Sequence, residues 1–90
     1  MASFGWALDA MRGGAKVARE GWNGKGMWLC YVPGRNNVPI FAHEPHYVGK
    51  DSPPMDFNPR IDMFTADKKI QPGWLASQTD MLANDWGVAK

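Results

Sequence analysis

The chain has 90 residues, which is the size of one domain with a thin core. It has ten Lys or Arg against nine Asp or Glu, so its formal net charge is +1. Aromatic residues make up 12% of it, and ten Gly and seven Pro supply turns, so we expect a compact, turn-rich fold rather than disorder. A net charge near zero provides no long-range field for a DNA or RNA polymer and disfavours a nucleic-acid coat.

The first predicted element is a short amphipathic helix. Ser3 is suited to the N-cap position, and Gly13-Gly14 would end the segment. Between them, four apolar residues recur at three- and four-residue spacing: Phe4, Ala7, Leu8 and Met11. This pattern predicts one helix face packed on the rest of the domain.

Two strands and a glycine-rich loop are predicted next. Residues 16–20 alternate weakly, as a strand would, and residues 21–26 interrupt them with three glycines. Residues 27–32 are apolar at every position, which predicts a central strand covered on both faces. This run is too short to span a bilayer, so we expect no transmembrane helix.

The middle of the chain is predicted to be mostly irregular. Residues 33–37 have turn composition, and residues 38–42 could form a returning strand that Pro39 would confine to a sheet edge or a bulge. Four prolines lie between His43 and Pro59, so we expect a long surface loop there.

The C-terminal third regains regular structure. Residues 60–65 predict a strand, residues 66–69 a hairpin turn, and Ile70-Gln71 the partner strand. Ser77 and Asp80 match a capping box before a short helix, and residues 86–88 can form a closing strand. The sum is a single α+β domain over residues 1–90. Its sheet is small, mostly antiparallel and β-roll-like, with an N-terminal helix and a short C-terminal helix.

Nucleotide motifs of two common kinds are absent. Gly24-Lys25 resembles the end of a phosphate loop, but that motif has a glycine where Arg19 stands and a Ser or Thr where Gly26 stands. The dinucleotide fingerprint fails because Leu29 occupies the position of its third glycine, and a Rossmann unit does not fit into this length.

The sequence predicts neither a metal site nor a catalytic site. His43 and His46, with Asp51 and Asp56 nearby, lack the helical spacing of a zinc site, because Pro45 would break the helix. Cys30 lies in the most apolar run, which predicts a core thiol rather than a nucleophile. We therefore expect no metal, no cofactor and no catalytic residues.

Two signatures resemble a family of phage and prophage proteins that was long a domain of unknown function. The first is Val-Ala-Arg-Glu-Gly-Trp-Asn-Gly-Lys-Gly-Met-Trp-Leu at residues 17–29; the second covers residues 59–67 and 74–86. The family is the Thoeris anti-defence sponges, the first anti-Thoeris family of phage proteins. Lys68-Lys69 and an extra Gly73 depart from its usual pattern.

The resemblance implies capture of an immune signal without cleavage. Family members bind glycosidic cyclic ADP-ribose isomers, and some are reported as hexamers built from dimers that also hold the cyclic trinucleotides of the CBASS system at separate sites. The expected partners are thus cyclic ADP-ribose isomers, possible cyclic trinucleotides and further copies of the chain as a dimer or hexamer. The expected location is the cytoplasm of the infected bacterium, with no membrane and no nucleic-acid polymer.

The residue types that such a ligand requires are present. Aromatic rings would stack on the adenine, with about 1–3 kcal/mol per base, cations would contact the pyrophosphate, and polar side chains would contact ribose hydroxyls. The candidate ligand-binding residues are Trp22, Asn23, Lys25, Arg60, Phe64, Trp74, Ser77 and Gln78. Each has a structural alternative: a core aromatic, a turn, a surface charge or a helix cap.

Two other classes of function stay open. The chain could be a small phage structural or protein-interaction module that binds through exposed aromatics such as Trp6 or Trp86. An enzyme acting on a nucleotide is disfavoured, because no general base or metal site is evident.

Overall fold

The computed structural model describes residues 1–22 and 25–90. In chain order, its elements are α1 (Phe4–Arg12), β1 (Val17–Arg19), β2 (Trp28–Val32), β3 (Arg35–Val38), β4 (Met55–Phe57), β5 (Arg60–Phe64), β6 (Ile70–Gln71), α2 (Gln78–Leu82) and β7 (Trp86–Val88). The predicted α+β class, with a helix near each end, is confirmed. In the described part of the chain, neither helix is long and apolar enough to cross a bilayer.

Five strands form one sheet in the order β6-β5-β2-β1-β7, and every pairing in it is antiparallel. The predicted central strand is confirmed, because β2 is third of the five. Its predicted burial on both faces is wrong, since only Leu29 of β2 is fully buried. Both helices pack on the face that carries Leu29, and on the opposite face Trp28, Cys30 and Val32 are only half-buried.

The core lies between α1 and this covered face, which we call the inner face. Ala7 and Met11 of α1 contact Val17, Leu29 and Trp86, and all five are buried. Ser3 caps α1 as predicted, because its hydroxyl accepts a hydrogen bond of 3.2 Å from the amide of the third helical residue. The apolar spacing of the first helix therefore identified the packing face correctly.

The opposite face, which we call the outer face, is also largely apolar. Strand register places Trp28 opposite Phe64 and Val32 opposite Arg60, with Cys30 between them on β2. The rings of Trp28 and Phe64 stack with centroids 5.0 Å apart. Cys30 is half-buried on this face, so the sequence was wrong to predict a core thiol.

Residues 33–59 form a separate two-stranded ribbon, which we call the arm. In it, β3 pairs with β4, so the predicted turn at 33–37 and strand at 38–42 are wrong. The predicted irregular loop from His43 to Pro59 is also wrong in part, because it contains β4. The sequence did not indicate β3 because three of its four residues are exposed and polar, which removes the alternation typical of a half-buried strand.

The first pair of the arm keeps the register of the β2–β5 ladder, and the register shifts further out, between Arg35 and Val38. Val32 faces Arg60 and, three residues further on each strand, Arg35 faces Phe57. Pro33 lies in the interruption between these pairs; proline has no amide proton to donate to a ladder. A side chain at Gly34 would come within 2.8 Å of the Phe57 carbonyl oxygen, so the strands approach closely at the base of the arm.

Candidate functional site

Four aromatic rings meet where α1 and α2 pack on the inner face. Trp86 is fully buried at their centre, with the rings of Phe4 and Trp22 each 5.3 Å and Trp74 6.4 Å from its own. Trp22 and Trp74 meet Trp86 edge to face, an arrangement that adds about 0.5–1.5 kcal/mol to the burial of such a pair. We call these four residues the aromatic cluster. The expectation that Trp86 is an exposed contact residue is wrong, because its strand pairs at the core.

A paired arginine lies beside the aromatic cluster. The Arg19 guanidinium donates to Asp85 Oδ1 at 2.8 Å and to Asp80 Oδ1 at 2.9 Å. The Trp22 indole Nε1 donates to the same Asp80 oxygen at 3.1 Å, and the Gly21 amide donates to Asp85 Oδ2 at 2.8 Å. We call Arg19, Asp80 and Asp85 the Arg19 network. It joins β1 to α2 and to the residue before β7.

The Arg19 network holds all three of its groups ionised. The hydrogen bonds that Arg19 donates to Asp85 and Asp80 raise the pKa of Arg19. Burial would raise the pKa of Asp80, but hydrogen bonds from Arg19, Trp22 and Ser77 outweigh it and hold this pKa below the ordinary value. The hydrogen bond from Arg19 lowers the pKa of Asp85. The network is therefore fully charged at neutral pH.

Two adjoining grooves border this region. One, of about 360 Å³, is lined by Trp22, Lys25, Glu20 and Lys90 among others, and the second, of about 390 Å³, runs along β7. Both share Arg19, and volumes of this size lie at the lower end of the range for small-molecule sites. Lys25 is exposed, so its ammonium group is accessible from the first groove, which we call the Lys25 groove.

Helix α2 places two further predicted site residues. Ser77 is its N-cap, and the Ser77 hydroxyl accepts a hydrogen bond of 3.0 Å from the Asp80 amide. Gln78 begins the helix and is exposed. The structure thus brings Trp22, Trp74 and Ser77 together around Trp86 and Asp80.

The remaining predicted residues lie elsewhere. Arg60 and Phe64 are on the outer face, across the sheet from the aromatic cluster. Arg60 already donates to both Asp62 oxygens, at 2.9 and 3.2 Å, while its side chain stays 40% exposed. Asn23 lies outside the described residues. Within one copy of the chain, the described candidates therefore form two groups on opposite faces.

Sequence reasoning did not identify the centre of the site. Trp86 was placed in a closing strand and named as an exposed contact residue, and Asp85 was not among the candidates, yet the first is the centre of the aromatic cluster and the second binds Arg19. The useful signal was the spacing of Asp80, Asp85 and Trp86 after a capping serine, which places polar and aromatic groups on one short segment.

The two histidines lie in the arm and contact aromatic rings. The rings of His43 and Phe41 are parallel, with centroids 6.1 Å apart, and His46 meets Phe57 edge to face. In residues 1–22 and 25–90, no three His, Cys, Asp or Glu side chains are grouped so that they could hold a metal ion.

This small α+β domain matches a known family over almost its whole length. The family described as the Thoeris anti-defense 2-like domain matches residues 2–89. Thoeris anti-defense 2 of Bacillus phage SP01 is 38% identical over 87 residues, which cover 96% of this chain and 92% of that protein. The chain belongs to the Thoeris anti-defense 2-like family, and the expected membership of a Thoeris anti-defence family is confirmed.

Proposed function

We propose that this protein protects a phage in the infected bacterium by binding cyclic ADP-ribose-type signals of the Thoeris system and holding them uncleaved. Family membership over residues 2–89 supports the anti-Thoeris role. The structural observation that carries signal binding is the Lys25 groove, in which an exposed cation and the half-buried Trp22 ring line one surface.

The Lys25 groove has chemistry that suits a cyclic ADP-ribose isomer. The Lys25 ammonium can donate to a pyrophosphate, and an exposed part of Trp22 can contact a base. Trp22 is held by Asp80 and Trp86, so its ring is already oriented before a ligand arrives. Such preorganisation lowers the entropy cost of binding.

Arg60 and Phe64 form the second candidate surface. Arg60 uses two of its five N–H donors on Asp62 and retains donors for a phosphate, and Phe64 stacks with Trp28 at the other end of β5. Cyclic trinucleotides of the CBASS system are the ligands we assign to this surface, as a separate site. The two groups can also meet in one pocket if further copies of the chain assemble as a homo-oligomer.

Calorimetric titration tests the proposal. The purified protein is titrated with glycosidic cyclic ADP-ribose isomers and with cyclic triadenylate, and each complex is then heated so that the released ligand can be identified. Nanomolar binding with intact ligand released supports sequestration. If none of these ligands binds, the proposed function is overturned. Release of a cleaved ligand indicates an enzyme.

Point variants locate the site. We expect Lys25→Ala to weaken cyclic ADP-ribose binding by about tenfold or more, because a charge-assisted hydrogen bond is lost. Lys50→Ala removes an exposed lysine of the arm and serves as the matched control. Phe64→Leu should weaken only cyclic triadenylate. Equal affinity of Lys25→Ala and wild type for every cyclic ADP-ribose isomer would remove the Lys25 groove from the site.

A further inference from the structure

Glu20 is the one carboxylate side chain among the described residues that line the Lys25 groove, and it also lines the adjoining groove along β7. It is exposed, and within residues 1–22 and 25–90 it takes part in no ion pair. The neighbouring cation, Arg19, donates instead to Asp80 and Asp85. The Glu20 carboxylate therefore reaches solvent without a cationic partner where the two grooves meet.

The backbone presents Glu20 and Trp22 on one turn. The Glu20 amide donates to the Asp85 carbonyl at 3.1 Å, and the Trp22 amide donates to the Arg19 carbonyl at 3.4 Å. The Gly21 amide between them donates to Asp85 Oδ2 at 2.8 Å. These three bonds fix the turn, so the Glu20 side chain starts from a set position two residues before the ring that the proposed function places against a base.

Strand alternation separates Glu20 from the Arg19 network. The β1–β7 ladder continues through the Glu20 amide, and successive side chains along a strand point to opposite sides of the sheet. Arg19 points to α2, so this alternation places Glu20 on the other side, with Ala18, which lines both grooves. The Glu20 charge is therefore directed at a bound ligand rather than at Arg19.

The charged groups of the Lys25 groove suit two different parts of a sugar nucleotide. Lys25 and Lys90 supply ammonium groups that can contact a phosphate. The carboxylate of Glu20 has only acceptor oxygens, so it suits a ribose hydroxyl and repels a phosphate. In dinucleotide-binding folds, an acidic side chain likewise accepts a hydrogen bond from a free ribose hydroxyl, and an arginine accommodates the phosphorylated sugar.

We propose that Glu20 determines which ribose the Lys25 groove accepts. Its carboxylate accepts a hydrogen bond from a free ribose hydroxyl and excludes a ligand that is phosphorylated at that hydroxyl. The inference rests on the proposed function, since the ribose belongs to a cyclic ADP-ribose isomer held in the groove. It adds a repulsive element to that function, because contacts to the base and the pyrophosphate alone do not distinguish a phosphorylated sugar from a free one.

Calorimetric titration of the full chain measures this selection. The probes are the glycosidic cyclic ADP-ribose isomer that wild type binds most tightly and the analogues phosphorylated at each of its free ribose hydroxyls in turn. Wild type should bind at least one analogue about tenfold or more weakly than the parent isomer. Glu20→Gln keeps an acceptor oxygen and loses the charge, so it should reduce that ratio to about threefold or less. Glu20→Ala should also bind the parent isomer about tenfold more weakly, because the hydrogen bond is lost.

The ratio of the two affinities separates selection from structural damage, because a distorted groove would weaken the binding of both probes. Asp9→Ala removes an exposed carboxylate of α1 that lies outside both grooves, and this control should change neither affinity. If Glu20→Gln shows the same ratio as wild type for every analogue, the role of Glu20 is overturned while the proposed function stands. A wild type that binds no isomer overturns both.

Discussion

Asp85 and Asp80 hold Arg19 at the junction of three elements, so we expect this network to make stability depend on pH. Because the pKa of each folded carboxyl lies below its ordinary value of 3.8, the stabilisation is complete well above that pH. It is lost as the pH falls through the folded pKa values. Asp85→Asn should therefore lower the melting temperature at pH 7, and this difference from wild type should shrink below about pH 4.

Differential scanning fluorimetry between pH 3 and 8 measures this dependence. Asp9→Asn is the control, since Asp9 is exposed on α1 and makes no ion pair within the described part of the chain. A constant difference between Asp85→Asn and wild type across the pH range would contradict the assignment of Asp85 as a charged partner of Arg19.

Individual residues were predictable where their partners are near in sequence. Both helix caps, Ser3 and Ser77, follow from spacing of three residues, and both are confirmed. The partners of Arg19 are 61 and 66 residues away, and no local pattern specifies such a pair. The same reason explains why Trp86 was not recognised as the centre of the aromatic cluster.

Helix α2 is five residues long, so its formation depends on its cap and its packing rather than on its own propensity. Ser77→Ala should cost about 1 kcal/mol of unfolding free energy, because the Asp80 amide loses its acceptor. Chemical denaturation measures the loss, with Thr79→Ala in the exposed first turn as control. If both variants are equally stable, the cap does not stabilise α2. A separate fall in ligand affinity for Ser77→Ala beyond its stability loss would support its predicted site role.

The base of the arm is the element most sensitive to a single added methyl group. In Gly34→Ala the new Cβ would come within 2.8 Å of the Phe57 carbonyl and 3.2 Å of Pro59, so β3 and β4 must separate there. Hydrogen exchange should accelerate in residues 33–59 and stay unchanged in the five-stranded sheet. Gly87→Ala is the control, because its Cβ would meet nothing within 4 Å. Equal protection of the arm in both variants would show that its base tolerates the change.

Elements of the five-stranded sheet were predictable because one face of each is apolar or because a turn bounds it. β5, β6 and β7 are confirmed where residues 60–65, 70–71 and 86–88 predicted them. The arm was not predictable, since its strands have no buried face in one copy of the chain and its prolines suggested a loop. The side of β2 that lies open could not be inferred either, because an apolar run indicates burial without saying what covers it.

In the whole molecule, the exposed apolar surface is large relative to the buried core. Six hydrophobic residues are buried in the described part of the chain, while nine large ones are exposed. If copies of the chain assemble as the homo-oligomer of the proposed function, the assembly buries apolar surface and its stability depends on protein concentration by mass action. The melting temperature should therefore rise with concentration in wild type and less in Phe41→Asp, which places a charge at one of the exposed residues. A melting temperature independent of concentration would show that the core of one copy suffices.

The arm leaves the sheet in register but pairs as a sheet of its own, so its length can change separately from the sheet. Val32–Arg60 and Arg35–Phe57 have the same register on either side of Pro33, and the register shifts only further out, between Arg35 and Val38. Removing paired residues beyond Arg35 and Phe57 would therefore shorten the projection while every pairing in the sheet is kept. Such a change would alter the distance between the tip of the arm and the aromatic cluster without altering the fold that holds that cluster.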